Sequence, residues 1–137
     1  MATGNLTASS FGVAADDWGV LQTARPNVLL IGSDSTVSGF LQLLLPLLKP
    51  PVLHTTSAAL VLPSSPGGTV ILRDVPRLGA DDQQRLSVWL AEAKRRTQVI
   101  STSSCPLLPL VERHVLVESL YYNLNVITIA LSDPATE

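Results

Sequence analysis

The chain has 137 residues, of which 46% are hydrophobic and 15% are charged, and its formal net charge is −2. This composition is typical of one globular domain with its own core, and the charge excludes the basic surface typical of nucleic-acid binding. A single cysteine and two histidines exclude an internal disulfide, a cysteine-based zinc site and a histidine-rich metal site.

Targeting signals are not evident in the sequence. The N-terminus has no basic stretch followed by an apolar core, so we expect no secretory signal. The longest apolar run, residues 40–48 (FLQLLLPLL), is much shorter than the roughly 20 residues that a membrane-spanning helix requires. We therefore expect a cytoplasmic protein whose partners include neither a membrane nor a nucleic acid.

The first third of the chain leads into a buried strand. Residues 1–15 are small and polar and are expected to be loose, and Asp16 or Asp17 is expected to cap a helix that ends near residue 23. Residues 27–31 (NVLLI) are apolar and uncharged, which is typical of a central strand covered on both faces. After a small polar loop, residues 36–45 are apolar nearly all round and predict a buried helix.

Strand and helix patterns alternate through the rest of the chain. The predicted segments are strands at 52–55, 69–73, 98–102 and 125–131, a helix from Asp81 or Asp82 to residue 93, and one or two helical pieces within 107–122. This alternation implies right-handed crossovers and a mostly parallel five-stranded sheet with helices on both faces, which is a three-layer α/β fold. Ligands of such sheets bind at the carboxyl ends of the strands.

Four sequence blocks have the order and spacing of one known family. The first block is residues 110–113 (LVER) with 120–126 (LYYNLNV), where the family reads L-V-E-x-G-x-F-R-x-D-L-Y-Y-R-L-N-V. The second is residues 67–75 (GGTVILRDV), where the family reads G-G-T-L-F-L-D-E-I. The third is residues 82–90 (DQQRLSVWL), where the family reads D-V-Q-x-x-L-L-x-V-L. The fourth block is the strand, loop and helix start at 27–39. Over residues 27–131 the chain thus resembles the central domain of sigma-54-dependent transcription activators, a branch of the AAA+ ATPases.

The resemblance implies a P-loop-type AAA+ core. It divides the chain into a tail with a short helix (1–26), a degenerate core (27–131) and a C-terminal tail (132–137). The family has a helix and a G-A-F-T-G-A loop, which contacts the sigma factor, between its second and third strands. Residues 58–60 match the start of that insert, and we expect the rest of it to be missing. We likewise expect neither the helical lid domain nor the DNA-binding domain after residue 131.

The phosphate-binding loop departs from the family at its most important positions. The family reads G-E-S-G-T-G-K where residues 32–38 read GSDSTVS, so Ser38 replaces the lysine and Val37 replaces the second obligatory glycine, which directly precedes that lysine. A β-branched residue does not readily adopt a positive φ or let a phosphate approach the backbone. One interpretation is a tight turn with Thr36 as the helix cap. The other is a vestigial phosphate loop made by Gly32, Ser35, Thr36 and Ser38.

The acidic pair that manages Mg²⁺ and the attacking water in the family is replaced as well. Arg73 and Asp74 stand in its place, and a cation at a metal position opposes metal binding. We expect Arg73 to pair with Asp34 or Asp74. Asp74 is at most a vestigial metal ligand, because Mg²⁺ needs several oxygen donors. No metal site is therefore predicted.

Other functional positions of the family are also occupied by different residues in this chain. The arginines that act on a neighbouring subunit's nucleotide correspond to Val117 and Asn123, and the polar residue at the tip of the fourth strand corresponds to Ser103 or Ser104. Because the lysine, the acidic pair and the arginines are separate catalytic parts, their joint loss predicts no catalytic residue and no enzymatic activity.

The remaining reactive or aromatic side chains are interpreted as structural. Cys105 is expected to be buried or inert, His54 to end a strand and His114 to lie in a helix, with no metal between them. The tyrosines at 121–122 are expected to pack, and the basic run 94–96 is expected to be a solvated helix end.

The expected function is a catalytically inactive AAA+-like domain, a pseudo-ATPase, that acts as a scaffold in bacterial signalling or transcription regulation without a cofactor. Its expected partner is another protein, and the apolar composition also permits self-association. Two alternatives remain open. One is a nucleotide-binding switch without hydrolysis. The other is a degenerate receiver-like signalling domain with Asp74 at the phosphorylated position and Thr102 or Ser103 opposite.

Overall fold

One parallel sheet organises the chain. The computed structural model describes residues 6–65, 67–93 and 96–134. Its strands lie in the order β2-β3-β4-β1-β5, and each neighbouring pair is parallel. The strands are β1 (Val28–Ile31), β2 (Val52–Thr56), β3 (Thr69–Arg73), β4 (Gln98–Ser103) and β5 (Ile127–Ala130). The α-helices are α1 (Ala15–Thr23), α2 (Asp34–Leu44), α3 (Ala80–Ala93), α4 (Leu108–Glu112) and α5 (Glu118–Leu124).

The sheet confirms the predicted three-layer α/β fold and excludes the receiver-like alternative. A receiver-type sheet has the strand order β2-β1-β3-β4-β5, with β1 between β2 and β3. Here β3 and β4 separate β1 from β2. Asp74 therefore follows a strand that is not next to β1, and a receiver's phosphorylation site is not assembled.

Apolar side chains on alternate strand positions form a core on each face of the sheet. On one face, Val28 and Leu30 of β1 pack with Phe40 and Leu44 of α2. On the other face, the neighbouring Leu29 joins a cluster with residues of α3, α4 and α5. Because successive strand residues point to opposite faces, the uncharged run in β1 fills both cores.

The N-terminal segment is more ordered than the sequence indicates. A 3-10 turn spans Ala8–Phe11, and the Phe11 ring is only 1% exposed. Its centroid lies 5.5 Å from that of Phe40 in an edge-on arrangement, and the Phe11 carbonyl accepts a hydrogen bond from the Ser132 N–H at 2.8 Å. The prediction of a loose segment is therefore wrong for residues 8–13, because the apolar Phe11 and Val13 pack onto α2 and the core around it.

The N-termini of α1 and α3 differ from the predicted ones, because the acidic residues expected to cap these helices lie within their first turns. Asp16 and Asp17 lie in the first turn of α1, which begins at Ala15, and Asp81 and Asp82 lie in the first turn of α3. Carboxylates in a first turn interact favourably with the helix dipole, so they mark the correct end of the helix without being its cap. Residues 94 and 95 of the predicted basic helix end lie outside the described residues.

Gly68 precedes β3 in a conformation that favours glycine. Its φ is +75°, and a Cβ atom there would clash with the carbonyl oxygen of Pro51. The close approach accompanies a hydrogen bond of 3.0 Å from the Thr69 N–H to the same oxygen, which aligns β3 with the start of β2.

Gly68→Ala is expected to lower the free energy of unfolding by about 3 kcal/mol, because it combines a strained left-handed backbone with a backbone clash. The measurement is urea unfolding followed by circular dichroism. Gly19→Ala is the matched control: Gly19 lies inside α1 with open space around it, so the change should stabilise by up to about 1 kcal/mol. Equal effects of the two substitutions would contradict this account.

Candidate functional site

A cleft of about 890 Å³ lies at the carboxyl ends of β1, β3 and β4. This is the edge of a parallel sheet at which ligands usually bind. Its polar lining comes from the start of α2, the ends of β2, β3 and β4, and the residues that directly follow these strands. The side chains that matter for its chemistry are Asp34, Ser38, Arg73, Asp74, Thr102, Ser103 and Ser104.

The turn between β1 and α2 is only two residues long. Strand β1 ends at Ile31 and α2 begins at Asp34, so Gly32 and Ser33 alone connect them. Ser33 is the N-cap, and its Oγ accepts a hydrogen bond from the Thr36 N–H at 3.2 Å. The interpretation as a tight strand-to-helix turn is confirmed, but Thr36 was the wrong cap. The residue before the first helical position has the extended backbone that capping requires.

Three backbone amides of this turn and of the start of α2 have partners within the protein. The Gly32 N–H donates to the Ser103 carbonyl at 3.0 Å, the Thr36 N–H to Ser33, and the Val37 N–H to the Ser33 carbonyl at 2.9 Å. A phosphate-binding loop instead presents several free N–H groups to the ligand. These three N–H groups are therefore not free to hold a phosphate in this structure.

The hydroxyl groups predicted for a vestigial phosphate loop are mostly committed elsewhere. Thr36 Oγ1 lies 2.8 Å from Ser33 Oγ and 3.2 Å from an oxygen of Asp133, to which it donates. Ser35 is exposed, and its Oγ lies 3.4 Å from Ser33 Oγ. Of the four residues, Gly32 and Ser38 line the cleft.

Arg73 spans the cleft from β3 to α2. Its Nη2 donates to Asp34 Oδ1 at 2.6 Å and to Ser38 Oγ at 3.1 Å. The Arg73 side chain is 24% exposed, whereas that of Asp34 is 93% exposed. The expected ion pair is thus formed with Asp34, and the guanidinium contacts the residue that stands in the place of the phosphate-binding lysine.

Asp74 is not part of a cluster of possible metal ligands within the described residues. Its backbone is left-handed, with φ at 69°, and its N–H donates to Thr102 Oγ1 at 3.0 Å. Its carboxylate pairs with Arg77 Nε at 3.2 Å. Within residues 6–65, 67–93 and 96–134, no group of three or more acidic, histidine or cysteine side chains could hold a metal ion.

The end of β4 is polar but less open than expected. Ser103 lies inside the strand and is buried, and its Oγ donates to the Cys105 carbonyl at 2.5 Å. Ser104 is exposed and lines the cleft. Cys105 is exposed, so of the two expectations for its thiol, buried or inert, the first is wrong. The strand ends at Ser103, and the tight hydrogen-bonded turn after it turns Cys105 outward.

Several residues singled out from the sequence lie outside the cleft. Val117 precedes α5 and Asn123 lies within it, and neither lines the cleft. His54 is an exposed residue in the middle of β2 rather than at its end, and His114 follows α4 with a left-handed φ of 61° instead of lying in a helix. The structure therefore brings neither histidine to the cleft.

The tyrosine pair is divided between core and surface. The two rings are in edge-on contact at 5.1 Å. Tyr121 packs against the apolar cluster that contains Leu120, as expected, but Tyr122 is 59% exposed. The packing interpretation therefore holds for Tyr121, whereas Tyr122 packs against the Tyr121 ring and is otherwise mostly exposed.

Gly39 is a functional position that the sequence analysis missed. In a phosphate-binding loop the residue after the lysine is a serine or threonine whose hydroxyl binds Mg²⁺. Gly39 follows Ser38 and has no such group. A Cβ atom on Gly39 would lie 3.3 Å from Cζ of Phe11, so the bare backbone makes room for that buried ring. The spacing from Gly32 was the signal that could have identified this loss.

A parallel sheet of this strand order, with a strand–turn–helix unit at β1 and α2, defines the chain as an α/β protein with a P-loop NTPase fold. The sequence profile described as "Sigma-54 interaction domain" matches residues 20–133. The chain therefore belongs to the sigma-54 interaction domain family, and the resemblance inferred from its sequence blocks is confirmed. No curated protein matches the sequence.

Solved structures of low sequence identity share the fold. NtrX from Brucella abortus in complex with ADP has a TM-score of 0.66 at 14% identity, over 83% of this chain and 33% of that chain. The complex of NtrX with ATP gives 0.64 at 13%, with 83% and 33% covered. The P-loop NTPase domain of a sigma-54 transport activator from E. coli gives 0.54 at 20%, with 82% and 94% covered. The chain thus spans about a third of the NtrX length.

Membrane insertion through a helix finds no support in the structure. Across the described ranges, none of the helices has both the length and the apolar character needed to cross a bilayer.

Arg73→Ala is expected to lower the free energy of unfolding by about 1–2 kcal/mol, because the mostly buried guanidinium packs in the cleft and bonds two partners. Asp34→Ala should cost less than about 1 kcal/mol, since that carboxylate is exposed. Arg77→Ala, which removes another cleft arginine that is 80% exposed, is the matched control and should change stability by less than about 0.5 kcal/mol. Urea unfolding distinguishes the three, and an Arg73 variant as stable as the Arg77 variant would contradict the packing role.

Proposed function

We propose that this chain is a pseudo-ATPase: a sigma-54 interaction domain that has no ATPase activity and acts as a protein-interaction scaffold. In this proposal it works in bacterial transcription regulation or signalling, in the cytoplasm, and it binds another protein rather than a nucleic acid or a membrane. It needs no nucleotide or metal cofactor. The observation that carries the proposal is the two-residue turn before α2 together with the Arg73 guanidinium beside Ser38.

The turn supports the proposal because it removes the phosphate seat. Hydrolysis of a nucleoside triphosphate needs a loop whose amides and lysine hold the phosphates. Here the N–H groups of Gly32, Thr36 and Val37 are hydrogen-bonded within the protein, and the Ser38 side chain has no charge. The cleft is of a size that small-molecule sites have, but size alone supplies no phosphate contact.

The charges in the cleft support the proposal for a second reason. Mg²⁺ would have to bind beside Arg73, whose positive charge opposes it. The nearest carboxylate, Asp34, is already paired with that arginine at 2.6 Å. Asp74 faces Arg77 instead. A metal ion would therefore have to break an existing ion pair and remain next to a cation.

A nucleotide-binding switch without hydrolysis is the second candidate. The N-terminus of α2 opens onto the cleft, and a helix N-terminus favours anions. Solved structures of NtrX hold ADP or ATP in that protein. In this chain the N-terminal position is occupied by Asp34, whose carboxylate repels phosphate.

Isothermal titration calorimetry with ATP and Mg²⁺ tests the first candidate, and we expect a dissociation constant weaker than about 1 mM. Micromolar or tighter binding would overturn it.

Thermal shift with ATP, ADP and guanine nucleotides tests the second candidate, which requires stabilisation by at least one of them. The variant with Val37→Gly, Ser38→Lys and Arg73→Asp is the positive control. A gain of ATP binding in that variant alone would assign the lost affinity to these three positions.

A further inference from the structure

An apolar groove of about 500 Å³ lies between α4 and α5, away from the cleft. Aliphatic side chains of α4 and of the segment between the two helices form its walls: Leu108, Val111, Leu116 and Val117. Leu108 is 45% exposed and Val117 is 49% exposed, and Val115 beside them is 51% exposed. Adjacent exposed aliphatic side chains around a concave surface are a feature of interaction sites.

The two exposed valines are held in place by a buried glutamine. Gln83 of α3 is only 4% exposed. Its Nε2 donates to the Val115 carbonyl at 2.9 Å, and its Oε1 accepts from the Val117 N–H at 2.9 Å. The same Nε2 also donates to the Leu78 carbonyl at 3.1 Å. A buried polar side chain therefore fixes the backbone of the very residues that expose apolar surface. A preorganised surface loses little entropy when a partner binds.

The groove carries negative charge at its rim. Glu112 ends α4 and Glu118 begins α5, and both line the groove together with His114. Neither glutamate forms an ion pair with any of the residues that the structure describes. An apolar floor with unpaired carboxylates at its edge is complementary to a segment that carries both aliphatic and basic side chains.

We infer that this groove is a docking site for a short amphipathic segment of another protein, with aliphatic side chains in the groove and Lys or Arg beside Glu112 and Glu118. The inference rests on the proposed scaffold function and names the surface and the chemistry of the partner. A second copy of this chain in a symmetric dimer is a poorer occupant. A symmetric dimer through this groove would bring the same carboxylates of both copies together, and like charges repel.

Fluorescence anisotropy of the full chain with a labelled helical peptide of roughly 15 residues, built from Leu on one face and Lys on the other, tests the inference. A peptide with the same leucines and Glu in place of Lys is the counterpart. We expect the Leu/Lys peptide to bind at least about tenfold more tightly than the Leu/Glu peptide. Equal affinities of the two peptides would overturn the charge assignment.

Two variants locate the binding surface, each with a matched control. The double variant Glu112→Lys and Glu118→Lys should weaken the Leu/Lys peptide at least about tenfold, whereas Glu92→Lys on α3 should not. Val117→Asn, which removes apolar surface without adding charge, should weaken both peptides, whereas Val61→Asn, at a valine that is 55% exposed elsewhere, should not. Thermal melts of all four variants establish that they remain folded. Loss of binding in the controls as large as in the groove variants would overturn the inference.

Two further measurements distinguish this inference from self-association of the chain and from the proposed pseudo-ATPase function. If sedimentation of the chain without peptide shows a dimer that Val117→Asn dissociates, the occupant is a second copy and the inference is wrong. Calorimetry with ATP and Mg²⁺ on the same samples separates it from the proposed function. Nucleotide binding would contradict the pseudo-ATPase proposal whatever the peptides do. Absence of both nucleotide and peptide binding would overturn the groove inference alone.

Discussion

The hydrogen-bonded ion pair between Arg73 and Asp34 is the interaction on which the interpretation of the cleft depends. It joins the end of β3 to the first turn of α2 across the opening of the sheet. In the family a lysine on the loop brings a positive charge to a bound phosphate. In this chain the positive charge comes from Arg73 at the end of β3, and its partner is the carboxylate of Asp34. The cleft is therefore internally neutralised at the point where a phosphate or a metal ion would have to bind.

Two positions at which this chain differs from the family's phosphate-binding loop contribute to packing. Val37 is 1% exposed and belongs to the core on the α2 face. Gly39 leaves space for the Phe11 ring, which packs edge-on against Phe40. Burying one such apolar side chain contributes about 1.5–3 kcal/mol to folding, so Val37 and Phe11 both stabilise the core on the α2 face.

The sheet was predictable because its strands are short apolar runs between clear turn signals. The predicted strand at 69–73 matches β3, and β1 and β2 differ by one residue at one end. Helix starts were less predictable, because Ser33, Asp34 and Thr36 are all good residues for a helix N-terminus and their roles depend on where β1 ends. The docking of Phe11 depended on a small space beside Gly39, which no local pattern reveals. The exposed Cys105 and the groove between α4 and α5 likewise arise from tertiary packing.

We propose that the turn after β1 and the start of α2 do not hold a phosphate, and the amide signals of residues 32–38 report on this directly. A titration of the ¹⁵N-labelled chain with ATP and Mg²⁺, followed by two-dimensional ¹H–¹⁵N NMR, measures whether those amides gain a ligand. We expect their chemical shifts to stay unchanged up to millimolar nucleotide, because the Gly32, Thr36 and Val37 N–H groups already have acceptors and the Asp34 carboxylate repels phosphate. Saturable shifts concentrated in these amides would contradict it.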